Sequence, residues 1–433
     1  MPTPSLLIVP ARFKSGKLYS QIPTSGAGDF TVTRATTATR VNASGLIESV
    51  ASGIPRLDYF ASGGTVGCPA LLVEPAGTNL VFHSEVWTSG NNWIFADGVT
   101  SVSASITAPD NTQAVNALSP TSANSSHFFY SNNPTTITYT SGTIYTQSIF
   151  FKQGTGAAGR YVQLTYPSAR FTQLGFANFD LQGGVVTASG GTADTNRNAR
   201  IENYGNGWYR CIFTATCNST GTGVGVLPTL ITTSGATRLP TFSGTVTDVI
   251  YGWGAQLETG SVATSYIPTT TAAVTRNADV VSVSGAVSGA IGQTQGTIYM
   301  EVDIRNLASI TYLIRIDEGA AANVLSLRKL DTNQIRTTIT APTTSGTLNI
   351  SSAAFTAGIV KIAFAYKSGE IALSVNGATA LTTNGTFSFG ASLNRITLGS
   401  NTIASSEFND RIRAVALYTT RLTNAELAAL TSP

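Results

Sequence analysis

The sequence predicts an all-β protein: an N-terminal extended segment, then two β-sandwiches, the second closed by one short helix. Three observations carry this expectation. Apolar and polar residues alternate with period two over many segments. Gly-containing turn signals recur at short intervals between them. Long amphipathic helical patterns are nearly absent. Composition agrees, since 42% hydrophobic and 11% charged residues are the reverse of a disordered chain. The 433 residues exceed the roughly 250 to 300 that one core usually holds, so two or three domains are expected.

Residues 1–78 carry short apolar groups broken by Pro, Gly, Ser and Thr. Stretches such as TVTRATTATRVNASGLIES look too sparse for a core of their own. This region therefore reads as an attachment or assembly segment that completes its packing against a partner.

Residues 79–268 read as a central jelly-roll-like sandwich. In GTIYTQSIFFK, Tyr145, Gln147, Ile149 and Phe151 share one face and Ile144, Thr146, Ser148 and Phe150 the other. Aromatics on both faces suit a sandwich strand that also lies at a domain or subunit contact. RYVQLTY groups Val162, Leu164 and Tyr166, and WYRCIFT sets Tyr209, Cys211 and Phe213 opposite Trp208, Arg210 and Ile212. Gln182-Gly183-Gly184 and Asn206-Gly207 mark turns. Residues 269–280, in the Thr-rich run that follows YGWGAQLE, lack a sustained hydrophobic face and read as a linker.

Residues 281–433 have the clearest alternation. TIYMEVDI places Ile298, Met300, Val302 and Ile304 together, and IVKIAFAY does the same with Val360, Ile362, Phe364 and Tyr366. GEIALSV sets Ile371, Leu373 and Val375 in register before Asn376-Gly377, a strong hairpin signal. RITLG and RIRAVALY supply later strands. In RLTNAELAAL, Thr423 and Glu426 have capping-box spacing, and Leu422 and Leu427 occupy the staple positions. Antiparallel strands closed by such a helix are typical of a concanavalin-like sandwich.

Charge and spacing exclude several function classes. The net charge of +3 comes from 25 basic and 22 acidic residues scattered along the chain, so no basic stripe can follow a phosphate backbone. No apolar run has the roughly 18 residues of a membrane span. The apolar group Leu6–Val9 is short and closed by Pro10, unlike a secretory signal, so folding in the cytoplasm is expected. Cys211 and Cys217, six apart in an alternating segment, would lie roughly 20 Å apart if extended, too far for a disulfide. Buried free thiols are the expectation.

Catalytic, cofactor and metal residues are not expected. The two histidines, His83 and His127, adjoin no nucleophile-elbow pattern. Metal-ligand spacings and phosphate-binding Gly-rich loops are missing. Cleavage of a polysaccharide needs two carboxylates about 5 to 10 Å apart across a sugar. Glu74 and Glu258, in LLVEPAGTNL and GAQLETG, are more simply read as ordering turns or pairing with arginines. Sugar binding without cleavage uses exposed rings. Trp87 and Trp93, flanking the amide-rich WTSGNNW, are the candidate glycan-binding residues; the alternative is that they seal a core edge.

TVTRATTATRVNASGLIE, PRLDY and CPALLVEPAGTNLVFHSEVW, with GNGWYR and GWGAQLETGSVATSYIPTTTAAVTR further on, resemble segments of phage virion proteins described as head spike or head fibre proteins. IALSVNG, LNRITLGS and RIRAVALY followed by LTNAELAAL resemble the laminin-G-like, concanavalin-type superfamily. The first resemblance implies a non-enzymatic virion component, a homotrimer that binds other virion proteins through its N-terminal segment and contacts host surface polysaccharide. A receptor-binding tail fibre or carbohydrate-binding adhesin is the alternative, and a glycan depolymerase a third. Some laminin-G-like proteins bind calcium, and Asn409-Asp410 is the one candidate; a turn whose carboxylate caps backbone amides is the other reading.

Overall fold

The structure, a computed structural model, describes residues 1–61, 66–95, 98–132, 137–192, 194–307, 309–401 and 408–433. Its regular secondary structure is nearly all strand, arranged as two β-sandwiches, with one α-helix among the described residues, Asn424–Thr431. That helix is not long enough to cross a membrane. The two sandwiches are not consecutive in the chain. One is built from both chain ends and is called here the terminal sandwich. The other is inserted into it.

In the terminal sandwich, Gln295–Ile304 lies between Gly358–Lys367 and Asp410–Tyr418, all antiparallel. Ile298, Met300, Val302 and Ile304 turn inward as their alternation predicts, with Val360, Ile362, Phe364 and Tyr366 beside them. The facing sheet runs through Val280–Ser284, Arg395–Leu398, Thr311–Asp317, Val324–Lys329 and Ile335–Thr340. Leu427 of the helix and Leu422, just before its N-cap, pack against Ala363, Ala365 and Ala372 on the outer face of the first sheet. Its capping box is formed: Thr423 Oγ1 accepts from the Glu426 amide and Glu426 Oε2 accepts from the Thr423 amide.

Residues 1–78 correct the expectation drawn for them. They do not await a partner to complete their packing, because their strands complete this sandwich. Leu6–Ile8 pairs with Asp410–Tyr418, as does Val66–Val73, and Leu57–Phe60 pairs with Val66–Val73. Phe30–Thr33 extends the opposite sheet through Val280–Ser284. The sparse apolar residues Leu6, Ile8, Phe30, Val32, Leu57 and Leu71 are all buried in the common core. Each segment lacks its own core because the other half of that core lies some hundreds of residues away.

The chain leaves this sandwich at Gly77–Asn79 and returns at Val274–Arg276, two strands that pair with each other. Between them, a six-stranded sheet (Val99–Ala104, Val115–Pro120, Val249–Thr259, Ile144–Thr155, Trp208–Thr216, Asn198–Asn203) faces a four-stranded one (Val185–Gly190, Phe176–Asp180, Tyr161–Thr165, Leu227–Ile231). Tyr145, Ile149, Phe151, Val162, Leu164, Tyr166, Cys211 and Phe213 fill the space between. Phe150, on the other face of its strand, joins Trp208, Trp253, Tyr266 and Ile47 in a second cluster where the sandwiches meet. The aromatics on both faces of GTIYTQSIFFK are thereby explained.

Residues 182–184 and 206–207 turn adjacent antiparallel strands, with Asp180↔Val185 and Asn203↔Tyr209 as the closing pairs. Asn376 and Gly377 both have positive φ, but the return strand pairs Leu373 with Leu381, so the connection is longer than a two-residue hairpin.

Candidate functional site

Where the inserted sandwich leaves the terminal one, three guanidiniums and two carboxylates are buried together. Arg56 contacts Asp279 with Nη2 and Glu74 Oε2 with Nη1, the latter at 2.7 Å; Arg34 Nη1 contacts Asp279 Oδ1 at 2.9 Å; Arg276 Nη2 lies 3.5 Å from Glu74 Oε2. The cationic excess is met by backbone carbonyls of Thr36, Ala51, Thr39 and Pro75. Glu74 also accepts from the Ser265 amide and hydroxyl of the inserted sandwich, each at 2.7 Å. Burial pushes the Glu74 carboxyl up, but Arg56 and Arg276 with these hydrogen bonds outweigh it and hold it at about 2. Arg34, Arg56, Glu74 and Arg276 come from TVTR, PRLDY, LLVEPAGTNL and AAVTR, segments that carry the resemblance, and Asp279 lies three residues beyond the last of them. Their common place is a neck that fixes the insertion's entry and exit.

Beside the neck, the six-stranded sheet turns a polar face toward the terminal sandwich. The register sets Asn198, Arg200 and Glu202 opposite Thr214, Ile212 and Arg210, next to Thr146, Ser148 and Phe150. From the terminal sandwich come Arg305, Asp410 and Arg411. Phe60 contacts both guanidiniums, with Arg305 4.6 Å and Arg411 4.9 Å from its ring centroid, and Tyr204 packs against it in a tilted pair at 4.6 Å. Arg411 is held by Asp58 at 2.7 Å and Arg305 by Asp303 at 2.8 Å.

Two adjoining cavities lie along this seam. The inner one, of about 40 Å³, is lined by Asp58, Glu202, Arg210, Asp410 and Arg411 among others. At that size it holds only ~3 waters. The outer one, of about 200 Å³, runs from Asn198 and Arg200 to Ser261 and Arg305. Burial raises the Glu202 carboxyl, and the surrounding Arg200, Arg210, Arg305 and Arg411 bring it below its ordinary range. Among the described residues, no guanidinium forms an ion pair with Asp410 within 4.0 Å. Burial pushes it up to about 7, although Oδ2 accepts the amides of Asn306 and Arg305, each at 3.0 Å.

The residues singled out in the sequence take these places. Trp87 and Trp93 are not sugar platforms: they are 1% and 0% exposed, stack on each other at 4.8 Å, and pack against Phe129 in the inserted core. Their indole N–H groups donate to the carbonyls of Ser84 and His83. Asn91 and Asn92 of WTSGNNW are half-buried while its rings turn fully inward, a distinction that composition does not make. Glu74 pairs with arginines, and Glu258 orders a turn by accepting the Thr264 amide and hydroxyl. Asp410 caps two backbone amides, which is the turn reading of Asn409-Asp410. Among the described residues, no three His, Cys, Asp or Glu side chains gather as a metal site. His127 is buried between the carbonyls of Gly98 and Phe242. Cys211 and Cys217 are buried free thiols, whereas Cys68 is exposed.

Sequence reasoning missed Arg200 and Arg305. The available signal was the placement of charges in and beside alternating strands: Arg200 and Glu202 share one face of NARIEN, and Arg305 directly follows the strand TIYMEVDI.

No protein-family model matches the chain, and no curated protein matches it. Solved structures similar to parts of it include the CBM40 module of a Ruminococcus gnavus IT-sialidase (17% identity, 34% of this chain and 88% of that one, TM-score 0.29). Domain 4 of a GH43 extracellular arabinanase from Geobacillus stearothermophilus is similar at 13% identity over 40% and 82% of the chains, TM-score 0.28. A heptameric SAP-like pentraxin from Limulus polyphemus is similar at 12% identity over 32% and 70%, TM-score 0.25.

Proposed function

We propose that this chain is a non-enzymatic structural subunit of a virus particle, of the head-fibre or head-spike kind, which projects from the particle and contacts host surface glycans. The observation that supports the reading is the neck. Four residues from the resembling motifs, Arg34, Arg56, Glu74 and Arg276, meet with Asp279 in one buried ion cluster where the two sandwiches join. Such a cluster is a device for geometry: burying charges gains little stability over apolar packing, but mispairing them is strongly unfavourable. The motifs then mark a shared architecture and not a shared reaction. In this reading the subunit assembles as a homotrimer and joins other virion proteins through a surface of the terminal sandwich.

A glycan-binding adhesin is the second reading, favoured by the outer cavity with its mixed polar and apolar lining. Mass spectrometry of purified particles tests the first: the chain is expected as a stoichiometric component, and its absence would remove the virion assignment. Incubation with host surface polysaccharide separates the others, since retention supports an adhesive role and release of shortened products would establish an enzyme.

A further inference from the structure

We infer that the outer seam cavity is a binding site for one carboxylate-bearing sugar residue. The inference deepens the glycan-contact part of the proposed function and is independent of where in a particle the protein sits. Among the described residues lining this cavity, the charged ones are Arg200 and Arg305, with no carboxylate. Arg200 is 27% exposed in its side chain and only loosely engaged, with Nη2 3.3 Å from Glu202 Oε1. Arg305 uses Nε and Nη2 on Asp303. A planar guanidinium with donors to spare binds a carboxylate in paired, charge-assisted hydrogen bonds.

The rest of the lining suits a sugar. Ile212 and Leu307 offer apolar contact for ring C–H groups, while Asn198 and Ser261 offer partners for hydroxyls. Volume limits the ligand to one ring: an apolar cavity of about 150 Å³ accommodates benzene, and this one measures about 200 Å³. One wall comes from each sandwich, so the neck that fixes their relative position also fixes the spacing of Arg200 and Arg305. Sites between domains are common for small ligands.

Sodium glucuronate and its neutral counterpart glucose, titrated into the full chain by calorimetry and saturation-transfer NMR, test this. Saturable glucuronate binding is expected, with glucose at least ~10-fold weaker, the effect of one charged hydrogen-bond pair. Arg200→Gln, on a partly exposed side chain, is expected to lower glucuronate affinity about tenfold and to narrow the preference over glucose. Ser261→Trp, which fills the cavity from a loop, is expected to abolish binding while thermal melting stays within a few degrees. Equal binding of the two sugars, no saturable glucuronate binding, or unchanged glucuronate affinity in either folded variant would overturn the inference. Host polysaccharide distinguishes this from failure of the broader reading: retention undiminished by Ser261→Trp places glycan contact elsewhere, whereas no retention by the unmodified chain ends the glycan-contact reading itself.

Discussion

Glu74 and Asp410 are both buried carboxylates near the seam, yet one is held at about 2 and the other at about 7. Desolvation raises both. The difference lies in what touches them: Glu74 has two guanidiniums and a hydroxyl, whereas Asp410 has two backbone amides and stands beside an Arg411 already committed to Asp58. Their contributions to stability run in opposite directions with pH. Glu74, depressed below its unfolded value, stabilises fully above about pH 4.5 and loses that contribution as pH falls toward 2. Asp410, raised above its unfolded value, favours the fold most below about pH 4, and that contribution is lost as pH rises through about 7. Asp410→Asn keeps an oxygen for both amides and removes the ionisation. The urea midpoint of the variant relative to the unmodified chain is expected to be higher at pH 8 than at pH 4.5; parallel profiles would refute the role given to burial. Arg56→Met leaves Glu74 and Asp279 short of their shared cation and should cost about 3–5 kcal/mol, the usual result of breaking one side of a buried pair. Urea unfolding measures it, and a loss below 1 kcal/mol would mean the neck relaxes around water. The pairing of Glu74 was legible in the sequence as a type of interaction, but its partners were not, because Arg56 and Arg276 reach it from segments on either side of the inserted sandwich. Trp87 and Trp93 show the converse problem. Their polar neighbours are local, while the Phe129 and Phe151 rings that bury them are brought in by tertiary packing.

At the scale of elements, long alternating strands were readable because each buries one face through its own periodicity, as Ile298 to Ile304 do. The capping box was readable because both partners lie within four residues. The N-terminal strands were not. Several are only two to four residues long, such as Lys17–Leu18 and Leu6–Ile8, and Leu6 pairs with Leu417. Short apolar groups with remote partners look the same as an arm awaiting another molecule. The distinction is experimental. A fragment of residues 281–433 retains the best-patterned strands but leaves Ile298, Val415 and Leu417 without Leu6, Ile8 and Leu71. It is expected to be insoluble or to lack a cooperative melt, and co-expression with residues 1–78 is expected to restore one. A monomeric, cooperatively folded 281–433 fragment would show that the N-terminal strands only decorate the sandwich.

For the whole molecule, the decisive feature is that the insertion begins and ends at one antiparallel pair. Asn79 faces Val274 directly, so their Cα atoms are ~5 Å apart and a tight turn can join them. All five charged residues of the neck, Arg34, Arg56, Glu74, Arg276 and Asp279, lie outside residues 80–273. The inserted core is likewise self-contained, running from Val81 to Leu257. Replacing residues 80–273 by an Asn-Gly turn should therefore leave a chain that melts in one cooperative transition, with the neck charges still paired. Its stability should fall, because Glu74 loses both hydrogen bonds from Ser265 and Asn79 loses the carbonyls of Ala255 and Ile267. Circular dichroism of the excised chain across temperature checks this. A broad, non-cooperative transition would mean that the inserted sandwich is needed to fold the one that carries it, and that the two form a single folding unit in spite of their separate cores.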